Sequence, residues 1–225
     1  MKHSLFSSPI LLAVAAFSAT HVCHANLISN GGFEIPALAS GNYQNITPGS
    51  EPTGFAWLVS SGDVDVAHLP VSPFINYTAY EGNQALDLNG NQKGAIYQDF
   101  TTIIGQLYSL SFAYADNPNE SGAKTASIAV TDTSNTLLSD SISHSTSTNS
   151  PVSADWKTFS RTFTAASTTT RLAFTSTSTS NTASGGIILD DVKVEATTAS
   201  VPEPATFALL GVGLVGLGFS RRRRA

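Results

Sequence analysis

The sequence is poor in the residues that usually announce an activity. Cysteine occurs once in 225 residues, as Cys23. A chain read past that point has no thiol nucleophile and no disulfide, so its fold must hold by burial alone. Of five histidines only His68 and His144 lie beyond residue 25, and neither stands at a metal-ligand or triad spacing. No Gly-x-Ser-x-Gly elbow and no phosphate loop are present. Basic charge is also scarce. Between Asn26 and Val201 six basic residues face fifteen acidic ones, a net of −9. That balance excludes a nucleic-acid partner and a polybasic membrane face. It leaves divalent cations and neutral or weakly charged ligands.

What the chain does have lies first at its ends. Lys2 and His3 precede a short apolar core at residues 10–17, and Cys23-His24-Ala25 offers small residues before a cut. This is the layout of a secretory signal peptide, residues 1–25, for the Sec machinery and signal peptidase, with Asn26 first in the mature chain. His21-Val22 before the cysteine is wrong for a lipoprotein. At the other end Pro202, Glu203 and Pro204 break the chain, residues 205–219 are uncharged and rich in Leu and Gly, and Arg221, Arg222, Arg223 and Arg224 follow. Fifteen residues at about 1.5 Å each make a helix of about 22 Å, short of the roughly 30 Å hydrocarbon core. Flanking residues and snorkelling arginines close that gap for a transient anchor. The arginines stay cytoplasmic by the positive-inside rule, which places the middle of the chain outside the inner membrane.

The order breaker, apolar segment, basic stop over residues 201–225 resembles the PEP-CTERM sorting tail of Gram-negative bacteria. The resemblance implies recognition by an exosortase and delivery to the cell surface or extracellular matrix.

The roughly 170 residues between the ends are enough for one domain with a real core. Helical periodicity is nearly absent there. Thr, Ser, Val and aromatics alternate in short runs separated by Gly, Asn, Pro and Asp. Residues 84–89, 107–115, 127–131, 156–163, 171–175 and 187–194 read as strands, and Asn30-Gly31, Asn89-Gly90 and Gly185-Gly186 as turns. Strands at this spacing predict an all-β fold over residues 26–195, an antiparallel sandwich of jelly-roll type. A signal helix and a C-terminal hydrophobic helix would flank it. The Ser/Thr-rich stretches 139–153 and 176–184 read as loops or weak edge strands, and 196–200 as a linker.

Five motifs recur in order: Asn26 to Glu34 (NLISNGGFE), Gly82 to Gly90 (GNQALDLNG), Gly94 to Gln98 (GAIYQ), Gly105 to Phe112 (GQLYSLSF) and Leu189 to Val194 (LDDVKV). This series resembles the choice-of-anchor C family of bacterial surface proteins, within the galactose-binding-like jelly rolls, and its first and last motifs resemble those of carbohydrate-binding modules. In related modules the opening glutamate and a closing aspartate help to hold a structural calcium. Here the resemblance implies Glu34 with Asp190 or Asp191, a donor set that suits a hard cation and would staple the first and last strands. A bulge would decide which aspartate faces inward. In the residues themselves, Asn30-Gly31-Gly32 reads as a turn at positive φ that sends Phe33 to the core.

Sugar rings stack on exposed aromatic faces flanked by polar side chains. Trp57, Tyr77 and Tyr80 are the candidate ligand-binding residues, while Trp57 and Trp156 each fall where the resembled family places a tryptophan, which implies core packing. Asp63 and Asp65 alternate with Val64 and Val66 and read as a solvated face, while Asp87 in the Leu-Asp-Leu-Asn run reads as bonded to a neighbouring loop. The acid pairs Asp63/Asp65 and Asp87/Asp116 keep a glycosidase open. The leading expectation is an exported, non-catalytic module binding carbohydrate or exopolysaccharide. A purely structural matrix protein and a glycan-acting hydrolase are the alternatives.

Overall fold

The computed structural model describes residues 25–119, 122–145, 155–178 and 185–197. The expected signal helix, the sorting motif, the apolar segment and the arginine cluster lie outside the described residues. Eleven strands follow one another with no helix among the described residues. They are β1 (Tyr43–Ile46), β2 (Leu58–Ser61), β3 (Val64–His68), β4 (Gln84–Asp87), β5 (Ala95–Thr101), β6 (Leu107–Asp116), β7 (Lys124–Thr131), β8 (Thr136–His144), β9 (Lys157–Thr164), β10 (Thr169–Ser176) and β11 (Ile187–Ala196).

The strands form two antiparallel sheets, β1-β3-β4-β11-β6-β9 and β2-β5-β10-β7-β8, face to face as a jelly-roll sandwich. Alternation builds the core between them. In β7 Ala126, Ile128 and Val130 point inward while Thr125, Ser127 and Ala129 stay partly open. Phe33, Trp57, Phe112 and Phe174 fill the centre, ring against ring. The Ser/Thr-rich stretch from residue 139 begins as edge strand β8, consistent with its polarity.

One strand departs from alternation for a reason. The first four residues of β11 are buried on both faces. The connection after β3 folds back over the outside of the six-stranded sheet, and Leu69, Val71, Ile75 and Tyr77 pack there on Ala67, Ala85, Ala115 and Ile188. A long loop thus carries its own small core, and it covers only part of that outer face. Beneath it His144 and Asp116 form a buried pair, Nδ1 to Oδ1 2.7 Å, and the Tyr77 hydroxyl donates to the Asp116 carbonyl at 2.7 Å.

The chain ends of the domain are clasped side by side. Leu27 N donates to Val194 O at 2.8 Å, and the Asn26 amide donates to Val192 O while its oxygen accepts from Val194 N. The turn expected at Asn30-Gly31-Gly32 is there, but positive φ falls on Asn30 and Phe33 rather than on the glycines. The glycines serve close approach instead. A Cβ on Gly31 would stand 2.1 Å from Val192 O. β11 runs one residue into the expected linker, and Thr197 is still bonded to Leu107.

Candidate functional site

The part of the outer face left open by the covering loop is a cleft of about 250 Å³. Its floor comes from alternation. Val64 and Val66 of β3 enter the core, so Asp65 and Ala67 must face out; Tyr43 and Asn45 of β1 and Asp87 of β4 stand beside them. Phe74 of the covering loop forms one wall, Gly90 and Asn91 another, and Asn117 and Asn119, just past β6, close the far side. Tyr43 and Phe74 keep 58% and 48% of their surface open, so two aromatic rings stand at the rim. No Lys, Arg or His is in the lining.

The polar groups are held by design of the loops around them. Asp63 is buried, not solvated: its carboxylate accepts from Asn91 N, Gln92 N and the Asn45 amide, and so ties the 90–92 loop to the sheet. Asn45 also donates to Asp65 at 2.8 Å. A side chain on Gly90 would collide with Asn45 and Asp63, both 2.3 Å from its Cβ, so glycine keeps the floor open. Asp87 accepts from Asn89 N at 2.9 Å, Gly186 N at 3.1 Å and the Asn117 amide at 2.7 Å, the loop bonding expected of it. Burial pushes its pKa up to about 7, against these bonds and with a further rise from Asp65. Asp65 stands opposite Asp87 in the β3–β4 register, and burial raises its pKa too. The pair that meets in the cleft is therefore Asp65/Asp87. Asp116 belongs to His144, and Asp63 to its loop.

None of the three aromatics named from the sequence, Trp57, Tyr77 and Tyr80, lines the cleft. Trp57 is 1% exposed between Phe33 and Phe174, with its indole N–H donating to Asn30 O at 3.1 Å. Tyr77 is likewise buried, on the inner side of the covering loop against the sheet. Neither offers a face to a ligand. Tyr80 is half exposed and sets its ring edge-on to Trp156, whose indole is held by Thr78 O. Tyr43 and Phe74 escaped the sequence reading. The signal for them was slight: Tyr43 alternates with a buried Ile46 in a four-residue strand, and Phe74 follows Pro73 in a short turn between the buried Val71 and Ile75.

A second polar corner joins the opening and closing motifs. Glu34 accepts from Asn83 N and Gln84 N at 2.7 and 2.8 Å. Asp190, fully buried, accepts from Tyr80 N, Glu81 N and Asp191 N. Burial lifts its pKa to about 7, with Glu81 adding to the rise. A Cβ on Gly32 would meet Glu81 Oε2 at 2.9 Å, Asp190 Oδ1 at 3.8 Å and the Glu34 side chain at 4.0 Å, so three acids border one point. Asp191 does not join them. A register shift between Asp190 and Lys193 and a φ of 52° at Asp191 turn its carboxylate outward to Lys193, 2.7 Å away. Among the described residues no group of three or more His, Cys, Asp or Glu is arranged to hold a metal ion. Glu34 Oε1 and both oxygens of Asp190 already accept backbone N–H groups.

Comparison with known proteins matches residues 26–195 to the family described as "Protein of unknown function (DUF642)", the same residues that carry the choice-of-anchor resemblance. Residues 200–224 match the PEP-CTERM protein-sorting motif. Halomucin of Haloquadratum walsbyi is 29% identical over 222 residues, 94% of this chain and 2% of that protein. The chain thus spans about 2% of the length of the curated relative it matches. Among solved structures, TmCBM61 in complex with beta-1,4-galactotriose is 19% identical with a TM-score of 0.49, covering 77% of this chain and 99% of that one. The CBM22-1 xylan-binding domain from Paenibacillus barcinonensis Xyn10C is 16% identical with a TM-score of 0.44, covering 73% and 100%. An arabinose-bound α-L-arabinofuranosidase, MgGH51, is 14% identical with a TM-score of 0.49, covering 78% and 27%.

Proposed function

This chain belongs to the DUF642 family and carries a PEP-CTERM sorting motif, and on that footing we propose that it is an exported binding module whose cleft takes a polysaccharide. The observation that carries the reading is the cleft itself: Tyr43 and Phe74 open at the rim over Asn45, Asp65, Asn91 and Asn117. Aromatic faces take the apolar side of a sugar ring, while amides and a carboxylate take its hydroxyls. With acids and no cation in the lining, uncharged glycans fit and uronic-acid polymers are repelled. A volume of about 250 Å³ sits just below the usual range of roughly 300–1,000 Å³ for ligand pockets, which suits one or two rings of a longer chain. The sorting motif supplies the exosortase as processing partner and the cell surface or matrix as destination. Sec export with signal peptidase removal of residues 1–25 is part of the same proposal.

A glycan array followed by titration calorimetry tests this. Phe74→Ala and Tyr43→Ala are each expected to weaken binding about 10-fold, the order of a lost ring contact. Tyr80→Ala should leave affinity unchanged. Silence across neutral polysaccharides, or equal binding by the Phe74 and Tyr43 variants, removes the reading and favours a structural matrix role.

One observation supports hydrolysis as a second reading. Asp65 and Asp87 face each other, and a carboxyl with a pKa near 7 is the kind that serves as a general acid. Release of reducing ends from a bound glycan, lost in Asp87→Asn, would establish it.

Structural calcium is proposed between Glu34 and Asp190, which the opening and closing motifs bring to one corner, without Asp191. Saturating Ca²⁺ at about 100 times its Kd should stabilise the fold by about 2.7 kcal/mol, and EDTA should reverse this. Asp190→Asn is expected to abolish the shift and Asp191→Asn to leave it. A melting curve indifferent to EDTA would dismiss the site.

A further inference from the structure

At the end of the sandwich away from the cleft, the β5–β6 loop turns two isoleucines outward. Ile103 and Ile104 keep 70% and 63% of their surface open, and Leu107 beside them keeps 43%. Single exposed apolar residues are ordinary, but three within five positions on one tip are not.

The tip is firmly built. Gly105 N donates to Ala165 O at 2.8 Å, Ala165 N to Gln106 O at 3.0 Å, and Thr102 N to Thr168 O at 3.0 Å, so the β9–β10 turn backs it. Ile103 N donates to the Tyr108 hydroxyl at 2.9 Å. Thr197 N donates to Leu107 O at 2.9 Å, and the Gln106 amide donates to Thr197 O at 2.8 Å. The isoleucines therefore stand where the chain leaves the sandwich. From Thr197 the apolar run that begins at Ala205 is eight residues on, a reach of at most about 28 Å.

The same three segments are free of charge. Residues 100–115, 162–170 and 196–202 contain no Asp, Glu, Lys or Arg, in a chain whose middle carries fifteen acids. The charges nearest this end are Asp132 on the β7–β8 turn, Glu195 on β11, Arg161 on β9 with its partner Asp140 at 2.9 Å, and Arg171 with Asp99, which neutralise each other through bonds of 2.7 and 2.8 Å. Charged groups at the tip would resist leaving water; threonine, glutamine and isoleucine do not.

We propose that this tip rests in the headgroup layer of the phospholipid bilayer that holds the C-terminal segment, so that the domain stands on the membrane. Three apolar side chains bind a bilayer weakly on their own, as a single short anchor does. Tethered by the tail they meet it at high effective concentration, and the contact becomes intramolecular. The orientation follows from β6. It starts at the tip with Leu107 and ends at Asp116, beside the cleft residue Asn117, ten residues or about 33 Å away. Standing on Ile103 and Ile104, the molecule presents the cleft outward. The inference rests on the tail being inserted and not on what the cleft binds.

The test is the full chain reconstituted in phosphatidylcholine vesicles, in a Cys23→Ser background, with an environment-sensitive fluorophore on Ile103→Cys or, as the far-end reference, Thr78→Cys. The Ile103 probe is expected to emit at shorter wavelength, to be quenched several-fold more than the Thr78 probe by lipids carrying a spin label, and to resist aqueous iodide. Iodide access equal to that at Thr78 overturns the proposal. Shielding from both quenchers overturns it as well, because the tip would then be covered by protein, the chain's own residues 205–219 being in reach. Failure of glycan binding would leave this result untouched.

Discussion

Between pH 5 and pH 8 the melting temperature of the domain is expected to fall by roughly 10 °C, at about 2–4 °C per kcal/mol for a domain of this size. Asp87, Asp190 and His144 drive it, and Asp65, whose pKa burial also raises, acts in the same direction. Asp87 and Asp190 have folded pKa values raised from 3.8 to about 7. A carboxyl with a raised folded pKa favours the fold fully below its unfolded value and loses that advantage as pH climbs to the folded value. A shift from 3.8 to about 7 is worth at most about 4 kcal/mol at 1.36 kcal/mol per unit. Roughly two thirds of that falls above pH 5, about 2.7 kcal/mol at most for Asp87, and with a smaller share from Asp190 the two acids supply on the order of 4 kcal/mol together. His144 adds to the slope. Burial pulls its pKa down, but the hydrogen bond to Asp116, the Asp155 carbonyl and the Asp116 charge carry it above 6.5, so its contribution also fades as pH rises. The opposing groups, Asp99, Asp132 and Glu51, have pKa values lowered from an already acidic range, so they act only below about pH 4. Thermal scans in EDTA across the window read the effect. A melting temperature that is flat or rises with pH would show that the acids are not buried as described. Asp87→Asn keeps the acceptor for Asn89 N and Gly186 N and is expected to flatten the curve by about half.

A single methyl at position 31 should cost more than any surface change in the molecule. Gly31→Ala puts its Cβ 2.1 Å from Val192 O and 3.1 Å from Val192 C, both backbone atoms. Neither can swing aside, because Val192 N donates to Gly31 O and the Asn26 amide holds Val192 O. The clasp between the opening segment and β11 must open, and the expected loss is about 3 kcal/mol or more by urea unfolding. The adjacent Gly32→Ala is the internal comparison. Its Cβ would press on Glu81 Oε2, the end of a flexible side chain, and should be felt far less. A Gly31→Ala protein within 1 kcal/mol of the native one would mean that the clasp is not rigid.

The sandwich was legible in the sequence because alternation is a local signal. Residues 107–115 and 187–194 read as strands, and both are, as β6 and β11. Asp87 could be read as bonded to a loop because a lone acid between two leucines has to find donors. The cleft could not be read in this way. Its parts come from β1, β3, β4, the covering loop and the end of β6, and only the folded register brings Asp65 opposite Asp87. Tyr77 and Phe74 lie three residues apart in the same loop, yet one is buried and the other open. No period distinguishes them; which ring is covered depends on how the loop lies across Ala67 and Ala85. The bulge that turns Asp191 outward was equally silent, since it leaves no mark on the Leu-Asp-Asp-Val motif.

The position of β11 in its sheet has a mechanical consequence. Any pull transmitted through the residues beyond Thr197 enters along the axis of this strand, which lies between β4 and β6 rather than at an edge. Against β6 its pairing runs from Ile187–Asp116 to Ala196–Tyr108. The hydrogen bonds of an antiparallel pair lie across the strands, so a pull along the strand loads them in shear together instead of peeling them one by one. The Asn26 clasp adds bonds on the same line, to Val192 and Val194. A domain pulled through this end therefore resists along the whole β11–β6 pairing at once.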